Sequence, residues 1–395
     1  MKRLVAIANG ISPPGTMGGN SKIILEMLRN IPGEWRTLVV TTKPAFFSEN
    51  GVAENARLKI IAIPFREDEM RSHFSACSQY LRDARRVFSE NGVGADDTVY
   101  CTSDFFVDVW PGFVLQKEFG FKWVPSFYLF VPSVFENLRR RCGFPVLKYI
   151  FYWFYQKFSH LLITARCSGV VVTNDADIAR FPKRLRDKIL AIYGGVNTEQ
   201  IPDEKENGET KYDAVFCSRL HPQKGVSGLL DVWRGVADAF PTAKLALIGN
   251  GAPEYEAFLK NKTRKLGLDA NTEWLGYVNN EAKYRIYHRS KMLLHSTVYD
   301  NNGMVAAEAL CAGLPVVMYD LPELRRLYSD GCVKVPRGDT AEYAASVSKL
   351  LTEKNYYDSA KPTPEQIAAL REKWNWTNRA ALFFYFMRIF QANNP

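Results

Sequence analysis

The chain has 395 residues, 47% of them hydrophobic and 24% charged, and carries a formal net charge of +9. This apolar content excludes an intrinsically disordered chain, and the length exceeds one ordinary core, so two domains of about 190 residues each are expected. The seven cysteines are odd in number, scattered and free of any C-x-x-C pair, which excludes a cysteine-built zinc site and a disulfide framework.

The N-terminus, MKRLVAIANGISPPG, is basic and then apolar. Its apolar run is too short for a secretory signal and reads as a strand over residues 2–11. A reducing, cytosolic location follows. Residues 13–22 form a loop that opens a helix near Ser21. Gly18 and Gly19 lack side chains there, so a ligand has access to the backbone. Further strands are expected at 37–42, 58–63, 97–103 and 123–130, and 169–175 ends the series. Strands that alternate with helical segments argue for βαβ units and parallel sheets.

Between residues 139 and 164, Leu147, Ile150, Phe151, Phe154, Phe158 and Leu161 recur at helical spacing. Lys148, Gln156, Lys157 and His160 interrupt the run, so a clean bilayer span of about 20 apolar residues is not met. The stripe is read as a face packed on the sheet, with Arg139–Arg141 kept as a membrane-facing patch. An interfacial helix on anionic lipid is the other reading. Residues 180–188 add basic surface. Residues 1–190 hold 26 Lys and Arg against 18 Asp and Glu, a balance of +8; residues 191–395 hold 25 against 24, or +1. The basic half calls for an anionic partner: a lipid surface, a lipid phosphate or a nucleic acid. Nucleic acid is not expected, because the aromatics cluster in apolar stretches rather than among the basic residues.

YGGVNTEQI (193–201) marks a domain junction, followed by a polar loop. Residues 213–225 read as a strand, a loop with Arg219, and Lys224 at the next helix start. Two cations five residues apart at the carboxyl end of a strand are placed to hold a diphosphate. Residues 244–258 give a strand, the Gly249-x-Gly251 loop and a helix; this glycine pair lacks the third glycine of a dinucleotide fingerprint. EWLGYVNN (273–280) contains Tyr277 and Val278. The most informative segment is 293–317. A strand leads to a turn with Asp300 and Gly303, then a helix with Glu308 stops at Gly313 before a second strand. The helix start offers backbone N–H groups at Gly303, Met304 and Val305, a seat for phosphate oxygens. The one D-x-D, Asp175 to Asp177, reads as a helix cap rather than a metal site.

The carboxylate, the seven residues to Glu308 and the trailing E-A-L-x-x-G-L-P-V-V resemble the signature of the retaining GT-B glycosyltransferases of family GT4. The resemblance implies an α/β fold of two Rossmann-like domains with parallel sheets facing a central cleft. It divides the chain into an acceptor-binding domain (1–195), a nucleotide-sugar-binding domain (196–375) and a final helix (376–395) returning to the first. It implies that Asp300 lies near the donor sugar, that Glu308 holds the ribose hydroxyls, and that Arg219 and Lys224 match the family's Arg and Lys. Gly18 and Gly19 would lie against the donor diphosphate and the acceptor, and the loop with Tyr277 and Val278 would frame the base. Two departures stand out. Asp300 replaces the usual Glu, and Tyr128, on the acceptor side, stands where related enzymes often carry His.

The resulting expectation is a retaining hexosyltransferase that moves a sugar from a nucleoside diphosphate sugar to an acceptor hydroxyl. No metal and no cofactor are expected, since Arg219, Lys224 and the helix start supply the positive charge. A glycan or a lipid-linked acceptor fits, with peripheral contact to an anionic membrane through the N-terminal domain. A non-catalytic nucleotide-sugar-binding protein and a sugar-nucleotide epimerase are the alternatives.

Overall fold

The computed structural model describes residues 1–12, 17–64, 73–131, 146–202 and 209–391. Arg139–Arg141 and the 13–16 part of the glycine loop lie outside them. The described residues fall into two compact units, one made of 1–131, 146–195 and 376–391, the other of 196–202 and 209–375.

In the first unit seven strands, β1 (Lys2–Ile7), β2 (Trp35–Thr41), β3 (Leu58–Ala62), β4 (Thr98–Cys101), β5 (Lys122–Phe127), β6 (Val170–Val172) and β7 (Ile189–Ala191), form one parallel sheet in the order β3-β2-β1-β4-β5-β6-β7. The strands are near-continuous apolar runs because both faces are covered. In β1, Leu4 and Ala6 enter a cluster with Ile24, Leu28, Phe383 and Met387, whereas Val5 and Ile7 enter one with Phe88, Val109 and Ile163. This is the two-residue alternation of a strand, serving helices Gly19–Arg29 and Trp376–Ile389 on one side and His73–Glu90, Phe106–Phe119 and Val146–Arg166 on the other. The fold thus contains the parallel sheet that the alternating pattern predicts, with one strand more: β7, three residues long, follows the basic tract.

The helix Val146–Arg166 corrects one reading. Phe151, Phe154, Phe158 and Leu161 are exposed, while Gln156, Ser159, Leu162, Ile163 and Thr164 are buried. Gln156 explains the reversal: its amide donates to Asp104 Oδ2 at 2.8 Å and the Leu129 carbonyl at 2.6 Å, and its oxygen accepts from Val131 N at 2.8 Å. Those bonds satisfy the ends of neighbouring loops. The D-x-D reading is also refined. Asn174 is the cap of the short 3-10 helix Asp175–Arg180, accepting from Asp177 N at 3.0 Å, and Asp177 is ion-paired with Arg180 at 3.3 Å.

The second unit repeats the plan with six parallel strands, β8 (Ala214–Cys217), β9 (Leu245–Ile248), β10 (Thr272–Gly276), β11 (Leu293–His295), β12 (Val316–Tyr319) and β13 (Cys332–Val335), ordered β10-β9-β8-β11-β12-β13. Chain order reverses between β8 and β11. The carboxyl ends of those two strands diverge there, opening the crevice where doubly wound sheets bind ligands. The loops after β8 and β11 carry Lys224 and Asp300.

Candidate functional site

The loop after β8 and the turn after β11 are stitched together residue by residue. Gln223 donates from Nε2 to the Tyr299 carbonyl at 2.7 Å, Val298 N donates to the Gln223 carbonyl at 3.0 Å, and Ser296 Oγ donates to the Lys224 carbonyl at 3.0 Å. Gly225 makes this approach possible: its φ is +70°, and a Cβ there would lie 2.0 Å from the Ser296 oxygen. Lys224, at the end of the short 3-10 turn Pro222–Lys224, then points its Nζ to Asp300 Oδ2 at 2.6 Å.

Asp300 serves two partners. Its Oδ1 accepts from the backbone N–H groups of Asn301, Asn302 and Gly303 at 2.8, 3.2 and 3.2 Å. The Gly303 N–H, read from sequence as open to a phosphate, is therefore occupied. The N–H groups of Met304 and Val305, the first residues of helix Met304–Cys311, have no partner among the described residues. Burial opposes the Asp300 charge, but Lys224, His295 and the backbone donors outweigh it and hold the carboxyl well below the usual carboxylate range. Tyr328 completes the turn, its hydroxyl donating to the carbonyls of Asn302 at 2.7 Å and Gly303 at 2.9 Å.

Glu308 projects from the second turn of the same helix. Its Oε2 meets Lys283 Nζ at 2.8 Å, and its Oε1 has no partner among the described residues. Arg219 is exposed and makes no ion pair among the described residues. Burial, then the charges of Arg219 and Lys224, lower the pKa of His221 between them. The neutral ring that results suits the bond in which His221 Nδ1 accepts from Gln223 N at 3.2 Å. Gly249, at the end of β9, has φ +136° and no room for a Cβ, which would lie 1.8 Å from the Ser218 oxygen. It lets the β8 and β9 loops touch. Tyr277 is exposed and Val278 half-buried, just after β10. No group of three or more His, Cys, Asp or Glu is arranged to hold a metal ion among the described residues.

Residues 197–366 match the family model described as Glycosyl transferases group 1. The matched stretch lies within the second unit. The chain is 33% identical over 172 residues to a phosphatidyl-myo-inositol mannosyltransferase of Mycobacterium leprae, a stretch covering 41% of this chain and 44% of the relative. The chain spans about half the length of the curated relatives it matches. Over its full length it resembles the sucrose-phosphate synthase of Thermosynechococcus elongatus (TM-score 0.77, 15% identity, all of both chains covered). It also resembles HepE of Anabaena, solved in complex with UDP-glucose (TM-score 0.73, 14% identity, 98% of this chain and 100% of that one). These likenesses show the fold, which is GT-B, two Rossmann-like parallel sheets of seven and six strands.

Two residues in contact with Asp300 and Glu308 escape a sequence reading. His295 ends β11 with its Nε2 3.9 Å from Asp300 Oδ2, and burial pushes its imidazole down to about 4 despite that carboxylate. A histidine inside an otherwise apolar strand was the available signal. Lys283, the partner of Glu308, sits among other charged residues of helix Asn280–His288 and carries no signal of its own. In the first unit, Gly18 caps helix Gly19–Arg29 and donates its N–H to Ser12 Oγ at 2.7 Å, and Gly19 has open space around its Cα. Tyr128 is buried beyond the end of β5, its hydroxyl hydrogen-bonded to that of Tyr100.

Proposed function

We propose that the chain moves a sugar from a nucleoside diphosphate sugar to an acceptor hydroxyl with retention of anomeric configuration. The observation that carries this reading is the turn and helix start at residues 300–308. There a fixed ion pair, two unpartnered backbone N–H groups and a carboxylate with one free oxygen line a single crevice edge. Two buried polar atoms beside it, His295 Nδ1 and Asn302 Oδ1, also lack partners among the described residues, as expected where a polar ligand completes the site. The names of the relatives support the donor class.

In this reading the diphosphate rests on the Met304 and Val305 N–H groups and on Arg219, and Glu308 Oε1 accepts from the ribose hydroxyls. Gly249 gives the diphosphate access to the loop backbone, and Tyr277 and Val278 border the base. The acceptor oxygen forms its bond to the anomeric carbon on the face of the leaving group. The bond from that carbon to the diphosphate oxygen breaks, its electron pair leaves with the diphosphate, and the hydroxyl proton passes to the departing oxygen. Negative charge grows beside Arg219, Lys224 and the helix start, which stabilise it without reorganising. These fixed charges do what a divalent metal does elsewhere, so turnover is proposed to be metal-independent. Gly18 and Gly19 are proposed to serve the donor diphosphate and the acceptor, and Tyr128 the acceptor side, with a glycan or lipid-linked acceptor at the cytoplasmic face of a membrane.

A thermal-shift series against UDP, GDP, ADP, dTDP and their sugars, with and without chelator, tests the donor site. One nucleotide should raise the melting temperature, unaffected by chelator. No shift with any of them overturns the reading. Donor turnover without an acceptor would assign an epimerase, and binding without turnover a non-catalytic protein.

A further inference from the structure

Helix Val146–Arg166 is too polar to cross a membrane, and no helix among the described residues is long and apolar enough to do so. Yet Phe151, Phe154, Phe158 and Leu161 are 71, 63, 46 and 62% exposed. Spaced by three, four and three residues, they occupy about a quarter of the helix circumference and about 15 Å of its length. A contiguous apolar surface of this kind marks a contact rather than chance exposure. The rest of the helix is already committed: the Tyr155 hydroxyl accepts from Phe106 N at 3.0 Å, and Gln156 and Ser159 are buried.

The surroundings say what the contact is. Residues 146–188 hold eight Lys and Arg against three Asp. Lys157 is exposed at the edge of the apolar face, lying 5.4 Å over the Trp153 ring. Arg166 stacks on Phe113 at 4.4 Å and Arg180 on Phe130 at 4.8 Å. The segment with Lys183 and Arg184 runs alongside, since Phe181 packs on His160 and Arg184 donates to the Thr164 carbonyl. Of the three acids, Asp177 is neutralised by Arg180. Exposed Phe and Leu side chains flanked by cations and by Tyr and Trp rings are the pattern of a helix lying in a lipid interface.

We infer that the Phe151–Leu161 face docks on an anionic bilayer surface, with the side chains of Phe151, Phe154, Phe158 and Leu161 entering the acyl boundary and Lys157, Lys183 and Arg184 meeting lipid headgroups. This deepens the proposed acceptor reading by naming the membrane-contact surface, and it is tested apart from the donor chemistry.

The test is co-sedimentation of the full chain with vesicles of phosphatidylglycerol and phosphatidylcholine, against vesicles of phosphatidylcholine alone. The protein should pellet with the anionic vesicles. The triple variant Phe151→Ser/Phe154→Ser/Phe158→Ser should lower that partitioning by about tenfold or more with an unchanged melting temperature. Lys157→Ser/Lys183→Ser should reduce it severalfold, and salt should weaken the wild type. If the triple variant melts early, Phe154→Lys alone replaces it. Absence of binding to anionic vesicles, or binding equal in wild type and variant, overturns the inference. So does a dimer that the triple variant dissociates, which would give the face to a second copy. A nucleotide-induced thermal shift in the same samples reads the donor site independently, so a loss there leaves the vesicle result standing.

Discussion

Lys224 Nζ lies 2.6 Å from Asp300 Oδ2 across 76 residues of sequence, while Asp300 Oδ1 gathers three successive backbone N–H groups. One carboxylate thus fixes both loops at the carboxyl ends of β8 and β11. Its short side chain suits this double role, since an Asx turn needs the oxygen close to its own backbone. Asp300→Asn keeps the turn acceptor and loses the charge pair, whereas Asp300→Ala loses both. Urea denaturation should show a loss of about 3 kcal/mol for the alanine variant and about half that for asparagine. Equal stability of the two variants would contradict the double role.

Glu308 is expected to act through binding. Glu308→Ala should weaken nucleoside diphosphate affinity about tenfold, or about 1.4 kcal/mol, by isothermal calorimetry. Lys283→Met, which leaves Glu308 without its cation, should weaken it less. Wild-type affinity in the alanine variant would remove Glu308 from the site.

Gly225→Ala tests the stitching of the two loops. A left-handed backbone costs a non-glycine residue about 1–2 kcal/mol, and the added Cβ has to move the Ser296 carbonyl as well. The variant should melt early and bind nucleotide poorly. Gly19→Ala, where nothing lies within 4 Å of the added atom, should keep its stability, so any loss of acceptor turnover there reports on ligand access.

A pH dependence follows from Asp108. Its carboxylate accepts from Asn9 N, Gly10 N, Ser103 Oγ and Thr102 Oγ1, with no cation partner among the described residues. Burial pushes it up to about 6, against the pull of those donors. A carboxyl raised above its unfolded value of 3.8 contributes stability that is full below that value and is lost as pH rises through about 6. Asp108→Asn does not titrate. Wild type should therefore lose up to about 3 kcal/mol relative to this variant on going from acid to neutral pH. Asp104 moves in the same direction and His295 in the opposite one, so the pairwise comparison is needed to isolate Asp108.

Tyr128→Phe removes the hydroxyl that meets Tyr100 inside the first unit. A stability loss of about 1 kcal/mol with an unchanged acceptor KM is expected. The reverse outcome, full stability and a raised KM, would bring the hydroxyl to the acceptor.

Local pattern revealed the parallel strands because each is an apolar run long enough to stand out, and it revealed the 293–317 segment because its strand, turn and helix are contiguous. It did not reveal β7, β10 or β13, which are three, five and four residues long and only partly buried. Periodicity exposed the stripe on helix Val146–Arg166 but not its direction, which depends on partners for Gln156 at residues 104, 129 and 131. The Lys224–Asp300 and Lys283–Glu308 pairs were likewise invisible, since each joins residues that only the β-sheet order brings together.

The order of synthesis has an unusual consequence here. Trp376, Ala380, Phe383, Phe384 and Met387 share an apolar cluster with Leu4, Ala6, Ile24 and Val39, and Trp35 meets Phe384 with ring centroids 5.3 Å apart. A ribosome delivers β1 to β7 first and must then make about 180 further residues, on the order of 10 to 40 s of translation, before the helix that covers this side emerges. The second unit has all of its strands by then. The half of the molecule made first is therefore the half finished last, and during that interval the exposed flank of its sheet is a surface for chaperones to guard.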